Sequence, residues 1–218
     1  IYFCLPMKRY VAESIATFFL IFCGTGAMVI NTETGVITHS GVAVAWGLIV
    51  MIMIFTFGRI SGAHMNPAVT VSLALVKLHP NREIVPYLFA QLIGAFAASL
   101  SLQQLFPDNE LLGASLPQGS EMQSFILEFI LTFMLMIVIL MTSQGRKFEQ
   151  YFAPVAIGAT IGLEALYAGP ISNASMNPFR SLAPAVVSGH IEHLWLYLIS
   201  TTLGALAAGF YWLWQREE

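Results

Sequence analysis

Long apolar stretches alternate with short polar segments along this chain, and six of the apolar stretches are long enough to matter for a membrane. A helix needs about 20 predominantly apolar residues to cross the hydrocarbon core of a bilayer. The pattern therefore predicts an all-α membrane protein with six transmembrane helices. The predicted spans are Tyr10–Ile30, Ser40–Phe57, Ile84–Gln104, Gln123–Thr142, Phe152–Ala168 and Leu194–Trp214.

Two further apolar stretches, Pro67–Leu78 and Pro178–Val187, are too short to span a bilayer. Such segments are tolerated at membrane depth only inside a protein bundle, where their backbone groups find partners. Asn66 and Asn177 directly precede them. Asn is a favoured N-cap and Pro is favoured at the first helical position. Both stretches are therefore predicted to be half-helices that begin at an Asn-Pro pair.

The chain also repeats itself. Val44–Gly47 recurs as Val155–Gly158, and Ile60–Pro67 recurs with the same offset as Ile171–Pro178. Each copy belongs to a half of the chain with three predicted spans, so the second copy must enter the membrane in the opposite direction. Inverted repeats are typical of transport proteins whose site lies near the bilayer midplane.

We therefore expect residues 1–218 to form a single transmembrane domain. Its two repeats are expected at about 7–104 and 121–215. The intervening residues, 105–120, contain Pro, Gly and acidic side chains, which is typical of a linker.

Composition agrees with a bilayer environment. Apolar residues make up 57% of the chain and charged residues only 10%, whereas soluble domains have about 25% charged residues. The net charge of -3 and the absence of a basic patch in the sequence indicate no nucleic-acid partner. The sequence also has no metal-binding spacing, no nucleophile with a neighbouring base and no glycine-rich phosphate loop, so we expect neither an enzyme nor a cofactor.

Basic residues give the orientation, because they accumulate on the cytoplasmic side of membrane proteins. With six spans, every Lys and Arg except Arg180 falls on the side that holds both termini, so we expect cytoplasmic termini in a cell membrane. Met7 followed by Lys8 and Arg9 is typical of a natural start, so residues 1–6 are not expected to belong to the native protein. The basic residues on the expected cytoplasmic side are Lys8, Arg9, Arg59, Lys77, Arg82, Arg146, Lys147 and Arg216.

The half-helices suggest a mechanism. In an inverted pair their N-termini would meet near the bilayer centre, where each carries the positive end of a helix dipole. Amide donors of Asn66 and Asn177 in the lumen would occupy the lone pairs of a passing water, and the positive potential would repel cations and protons. A secondary active transporter is the alternative, but it would need paired titratable groups at this depth. An ion channel is a weaker alternative, because Arg180 and the two facing dipole ends would obstruct cations.

The two motifs resemble a known family. Residues 61–70 resemble the first signature of aquaporins, the major intrinsic protein superfamily, and residues 175–181 resemble the second. The resemblance extends from Glu13 to about Trp214. It implies six tilted helices with two re-entrant half-helices, a homotetramer with one pore per subunit, and passive conduction of water without a cofactor. The pore-motif positions that it implies are Asn66, Pro67, Ala68, Asn177, Pro178 and Phe179.

The same resemblance implies a selectivity filter formed by Trp46, Ala165, Ala174 and Arg180. Strict water channels place a histidine where this chain has Ala165, so a wider filter is expected. A tryptophan face opposite an arginine suits glycerol-like solutes with carbon on one side and hydroxyls on the other. This filter is most similar to nodulin-like aquaporins and their prokaryotic relatives. Glycerol facilitators are less similar, since they usually have an aspartate at the position of Ser181.

Five further residues are bulky or titratable side chains at positions expected to lie near the half-helices or within the spans. Phe179 stands where the family usually has alanine, and its ring is expected either to pack into the bundle or to push Asn177 toward the pore. His64 is a possible pore-lining residue, although packing would explain it nearly as well. Glu13 and Glu128 are expected to accept hydrogen bonds from the re-entrant loops, and Glu164 is expected to brace a loop. The physiological solute, whether glycerol, urea, ammonia or a metalloid acid, is left open.

Overall fold

The computed structural model describes residues 4–216. Residues 217–218 and residues 1–3, which belong to the segment expected to precede the natural start, lie outside this range. Between residues 4 and 216 the chain is helical without strands, and six of its helices are long and apolar enough to cross a membrane, as predicted. The helices are α1 Cys4–Thr34, α2 Thr38–Ser61, α3 Pro67–Leu75, α4 Ile84–Leu105, α5 Glu121–Ser143, α6 Lys147–Ser172, α7 Pro178–Ser188 and α8 Leu194–Arg216, with a single 3₁₀ turn at Asn81–Glu83.

Half-helix α3 is shorter than predicted. It ends at Leu75 instead of Leu78 because Lys77 adopts a left-handed backbone conformation with φ 60°. The amides of Leu78 and His79 then turn back to the carbonyl of Leu73, at 2.9 and 3.1 Å. The apolar pattern continues through this turn, so hydropathy alone did not reveal where the helix stops.

Transmembrane helices pack closely wherever glycine faces a neighbouring backbone. A Cβ at Gly94 of α4 would lie 2.2 Å from the carbonyl oxygen of Ser14 on α1. A Cβ at Gly204 of α8 would lie 2.4 Å from the carbonyl oxygen of Phe129 on α5. Small residues at these crossings allow the van der Waals contact that associates helices in a membrane.

Helices α2 and α6 form a third close crossing. A Cβ at Gly47 would lie 2.7 Å from the carbonyl oxygen of Gly158, and a Cβ at Gly158 would lie 2.6 Å from the carbonyl oxygen of Gly47. The glycines therefore bring the two helix backbones together. This crossing fixes the helices that carry Trp46 and Ala165.

The segment between α4 and α5 folds back onto the helices. The Gln118 amide donates to the carbonyl of Ile171 at 2.9 Å, and Asn109 Nδ2 donates to Glu33 Oε1 at 2.8 Å. Leu112, Ala114 and Ser115 are buried although the sequence predicted a linker here. Side chains in this segment can therefore contribute to an internal site.

Candidate functional site

A cavity of about 690 Å³ lies inside the helix bundle. Arg59 near the end of α2 and Tyr151 near the start of α6 border it, and Asn66 and Asn177 line it farther inside. Trp46 also lines it, 13 positions before Arg59 on α2. At 1.5 Å per helical residue, the cavity extends about 20 Å along α2.

Asparagines begin both half-helices in the same way. Asn66 Oδ1 accepts a hydrogen bond from the Ala68 amide at 2.9 Å, and Asn177 Oδ1 accepts one from the Phe179 amide at 3.0 Å. Their backbones are extended and nearly identical, with φ -155° and ψ 119° at Asn66 against φ -151° and ψ 115° at Asn177. These are N-caps, and they fix the oxygen of each side chain and so the direction of its amide nitrogen.

The two asparagine amides also bind each other's loop. Asn66 Nδ2 donates to the carbonyl of Met176 at 2.7 Å, and Asn177 Nδ2 donates to the carbonyl of Met65 at 2.7 Å. An amide nitrogen carries two hydrogens, so each side chain keeps one further donor after this contact. Because both asparagines line the cavity, a polar solute at this point meets two oriented donors.

The loops that carry these asparagines have unusual backbones. Ala63 and Met65 in the first loop have φ 48° and 51°, and Ala174 and Met176 in the second have φ 43° and 52°. A left-handed conformation at a non-glycine residue costs on the order of 1–3 kcal/mol and persists only where its surroundings determine it. Contacts from the transmembrane helices must therefore hold both loops.

Glu13 holds the first loop. Its carboxylate accepts hydrogen bonds from the amides of His64, at 3.2 Å, and Met65. Gln91 Nε2 also donates to it, at 2.9 Å. An acid buried in α1 thus receives three donors, two of them from the strained backbone.

Glu128 on α5 holds the second loop with the same chemistry. Its oxygens accept hydrogen bonds from the amides of Ser175 and Met176 and from the hydroxyl of Ser172, each at 2.8 Å. Hydrogen bonds to a charged acceptor are the stronger kind. The two acids therefore stabilise the two loops in parallel.

Arg180 is the third residue of α7 and is only 2% exposed. Its Nη1 donates to the carbonyl of Gly113 at 3.1 Å and to the hydroxyl of Ser115 at 2.6 Å. Its Nη2 contacts the sulfur of Met28 at 3.1 Å. The guanidinium carbon lies 4.9 Å from the centre of the Trp46 ring, within cation–π range.

The other two positions expected in the filter, Ala165 and Ala174, differ in their relation to the cavity. Ala174 lines the cavity with Trp46 and Arg180. Ala165 is buried on α6 but is not among the cavity-lining residues within the described range. It belongs to the same buried apolar cluster as Trp46 and Ala174.

Gly24 sets the position of the tryptophan. A Cβ at Gly24 on α1 would lie 2.3–2.4 Å from three atoms of the Trp46 ring. The ring therefore lies directly against the backbone of α1, which leaves the space on its other side to the cavity and to Arg180.

The sequence left two alternatives for Phe179, packing into the bundle or displacing Asn177, and two for His64, lining the pore or packing. Phe179 is half-buried against the central apolar cluster and, within residues 4–216, is not among the residues that line the cavity. The matching backbones of Asn177 and Asn66 argue against displacement of Asn177. His64 both lines the cavity and packs, since Nδ1 contacts Thr70 Oγ1 at 3.1 Å.

The expectation that Glu164 braces a loop is wrong. The side chain is fully buried on α6, and neither carboxylate oxygen has a hydrogen-bond partner among residues 4–216. It therefore does not brace a loop. The reason is that Glu128 already accepts the available amides of the second loop.

His79 and Arg146, which lie in the segments that connect helices, have shifted pKa values. Burial lowers the pKa of His79, whose ring lies against the rings of His64 and Tyr87 at 4.9 and 4.5 Å. The hydrogen bonds to Glu149 raise the pKa of Arg146. In the described part of the chain, no group of three or more His, Cys, Asp or Glu side chains could hold a metal ion.

Sequence reasoning missed three contacts of Arg180, namely Gly113, Ser115 and Met28. Gly113 and Ser115 lie in the segment that was interpreted as a linker. A signal was present, because Gly113, Ala114 and Ser115 are three consecutive small residues between two leucines. Nothing comparable distinguishes Met28 from the other methionines of the chain.

Comparison with known proteins gives consistent matches. The family model described as "Major intrinsic protein" matches residues 4–212. The chain is 45% identical to "Aquaporin NIP1-1" of Oryza sativa subsp. japonica, over 94% of this chain and 72% of that protein. It is 40% identical to "Nodulin-26" of Glycine max, over 94% of this chain and 76% of that protein. Among solved structures, the aquaglyceroporin from Plasmodium falciparum has the same fold, with a TM-score of 0.82 at 24% identity over 95% of each chain.

Proposed function

Because the chain belongs to the major intrinsic protein family and is a passive membrane channel for water and small uncharged solutes, we propose that its cavity conducts solutes as large as glycerol. The observation that carries this proposal is the Trp46–Arg180 pair at 4.9 Å. One face of the passage is aromatic and the other carries guanidinium donors. The protein is a channel and not an enzyme.

The proposed filter consists of Trp46, Ala165, Ala174 and Arg180. Glycerol has a carbon backbone that suits the indole face and hydroxyl oxygens that suit the guanidinium donors. The two alanines contribute only methyl groups, so the passage keeps the width that a larger polar side chain would remove. Supporting this assignment, Arg180 is held by Gly113 and Ser115 at fixed distances, and a pre-positioned donor costs little entropy when it binds a solute.

Ion and proton exclusion is assigned to the asparagine pair and to Arg180. The N-termini of α3 and α7 carry positive dipole ends, and each asparagine amide has a donor left for a passing water. A water whose lone pairs both accept hydrogen bonds cannot relay a proton along the file. The secondary active transporter considered from the sequence would need titratable groups here, and Asn66 and Asn177 present amides.

The proposal also covers the internal repeats, the oligomeric state and the orientation in the membrane. Residues about 7–104 and 121–215 are inverted repeats joined by residues 105–120, within one channel domain of residues 1–218. The parallel roles of Glu13 and Glu128 and the reciprocal asparagine contacts support this division. The proposed functional unit is a homotetramer in a cell membrane, as the resemblance to the aquaporin family implies. The distribution of basic residues supports the proposal that both termini are cytoplasmic.

Stopped-flow light scattering on proteoliposomes tests this function. Vesicles with the protein are exposed first to an impermeant osmolyte and then to glycerol, and empty vesicles serve as the control. We expect faster shrinkage from water efflux and faster reswelling from glycerol entry than in empty vesicles. Fast water with glycerol entry at the empty-vesicle rate would reject the proposed solute range. Glycerol uptake that required an ion gradient would favour the active transporter instead.

A further inference from the structure

The filter arginine has an unusual partner. A guanidinium carries five N–H donors. Within residues 4–216, Arg180 uses two on Gly113 and Ser115 through Nη1 and one on the sulfur of Met28 through Nη2. Two donors are therefore left for solutes. The thioether is the weakest acceptor of the three, and it is the one that an oxidant can change.

Met28 is positioned for such a change. It lies six residues before the end of α1, is half-buried, and packs against the central apolar cluster. Its sulfur is 3.1 Å from Arg180 Nη2, so it lies at the filter itself. Hydrogen peroxide is uncharged and small and forms hydrogen bonds as water does. Among the described residues Met28 does not itself line the cavity, but Arg180, which its sulfur contacts, does. A channel for small uncharged solutes therefore brings this oxidant to within one side chain of the sulfur.

We propose that Met28 is a sulfoxidation site for hydrogen peroxide and that its sulfoxide, by binding Arg180, restricts the passage of larger solutes. In this step a sulfur lone pair attacks one peroxide oxygen. The O–O bond breaks, an S–O bond forms, and the second oxygen leaves as water with both protons. Sulfur loses two electrons and peroxide gains them. The effect on solutes rests on the filter role proposed above for Arg180.

The geometry gives the consequence. A sulfoxide oxygen is polar and a strong acceptor, whereas a thioether is apolar. At 3.1 Å there is no room for an oxygen between sulfur and nitrogen, so oxidation must shift Arg180 or rotate the Met28 side chain. In both cases the charged donor gains a stronger partner and becomes less available to solutes. Hydroxylated solutes depend on these donors more than water does.

The experiment uses the full chain in proteoliposomes. Wild type, Met28→Leu and Met122→Leu are treated with hydrogen peroxide, the oxidant is removed with catalase, and peptide mass spectrometry measures oxidation at each methionine. Leucine keeps the volume of methionine and cannot be oxidised. Met122 is a matched control because it is 64% exposed in the first turn of α5. Glycerol and water permeability are compared before and after treatment within each variant.

We expect sulfoxide at Met28 in wild type and a glycerol permeability about tenfold lower after treatment, because charge-assisted hydrogen bonds are about twice as strong as neutral ones. Methionine sulfoxide reductases should restore it. Met28→Leu should keep its untreated value, and Met122→Leu should respond as wild type does. An unoxidised Met28, or an oxidised Met28 with unchanged permeability, would overturn the proposal.

An equal loss in Met28→Leu would also overturn it, by assigning the effect to Met65 or Met176, which line the cavity. Untreated protein without glycerol flux would reject the proposed function instead. In that case the mass shift at Met28 alone decides whether Met28 is a sulfoxidation site.

Discussion

The guanidinium carbon of Arg180 lies 4.9 Å from the centre of the Trp46 ring. The two residues belong to different helices and are 134 positions apart in the sequence. Other segments fix both side chains. Gly113 and Ser115 accept hydrogen bonds from Arg180, and the backbone at Gly24 lies against the Trp46 ring. A cation against an aromatic face contributes only about 0.5–2 kcal/mol. The relative position of the two side chains therefore depends mainly on their contacts with Gly113, Ser115 and Gly24.

Gly24→Ala should displace the tryptophan. The new Cβ would lie 2.3 Å from the ring, and such overpacking costs about 1–3 kcal/mol. A ring displaced from α1 would enter the cavity that it lines, so we expect glycerol permeability to fall more than water permeability. Gly26→Ala is the matched control, because its Cβ would meet only the flexible end of Leu102 at 3.3 Å. Unchanged glycerol flux in Gly24→Ala would mean that Trp46 does not border the passage.

Glu128→Gln should destabilise the second re-entrant loop. All three contacts of Glu128 are donors at 2.8 Å, so the new amide must direct its own N–H groups at a donor. An unsatisfied buried group costs about 1–3 kcal/mol. We expect a lower melting temperature by tryptophan fluorescence in detergent, with Glu192→Gln on the exposed surface as the control. Equal melting temperatures would refute the loop-holding role.

Glu164→Met should behave in the opposite way. Among residues 4–216, neither oxygen of this buried carboxyl has a hydrogen-bond partner, so removing it removes a desolvation cost of about 1–3 kcal/mol. Aligning Val155–Gly158 with Val44–Gly47 places Met53 at the corresponding position of the first repeat. We expect a melting temperature equal to or above that of wild type. A lower value would reveal a stabilising contact of Glu164.

His79 should contribute to acid sensitivity. Burial lowers the pKa of His79 below the ordinary value of 6.5, so around and below that pH the unfolded chain binds more protons than the folded one. Stability is then complete above the unfolded pKa and decreases as pH falls. We expect His79→Phe to reduce the drop in melting temperature between about pH 7.5 and about pH 5.5. His190→Phe is the control, and identical drops in wild type and His79→Phe would contradict the prediction.

The sequence was sufficient for the membrane spans, because hydropathy acts on every residue of a helix in lipid. It also indicated Asn66 and Asn177, because an Asn-Pro pair before a short apolar stretch has a local physical meaning as a helix start. Helix ends were less predictable. The end of α3 depends on a left-handed residue, Lys77, that hydropathy does not register.

Contacts between distant segments account for what the sequence did not reveal. Met28 and Arg180 are 152 positions apart, and Ser115 and Arg180 are 65 apart. Glu164 and Glu128 are both acids within spans, and only the fold decides which of them meets the amides of the second loop. Phe179 could be placed against the bundle only once the neighbouring helices were known.

The measurement that tests the filter most directly is the ratio of glycerol to water permeability in Ala165→His, compared with wild type in the same vesicles. Ala165→Ser, which adds one hydroxyl, is the size-matched control. A histidine at this position should extend an imidazole into the passage beside Trp46 and Arg180, so we expect glycerol permeability to fall much more than water permeability. An equal loss of both, or an unchanged ratio, would contradict the assignment of Ala165 to the filter.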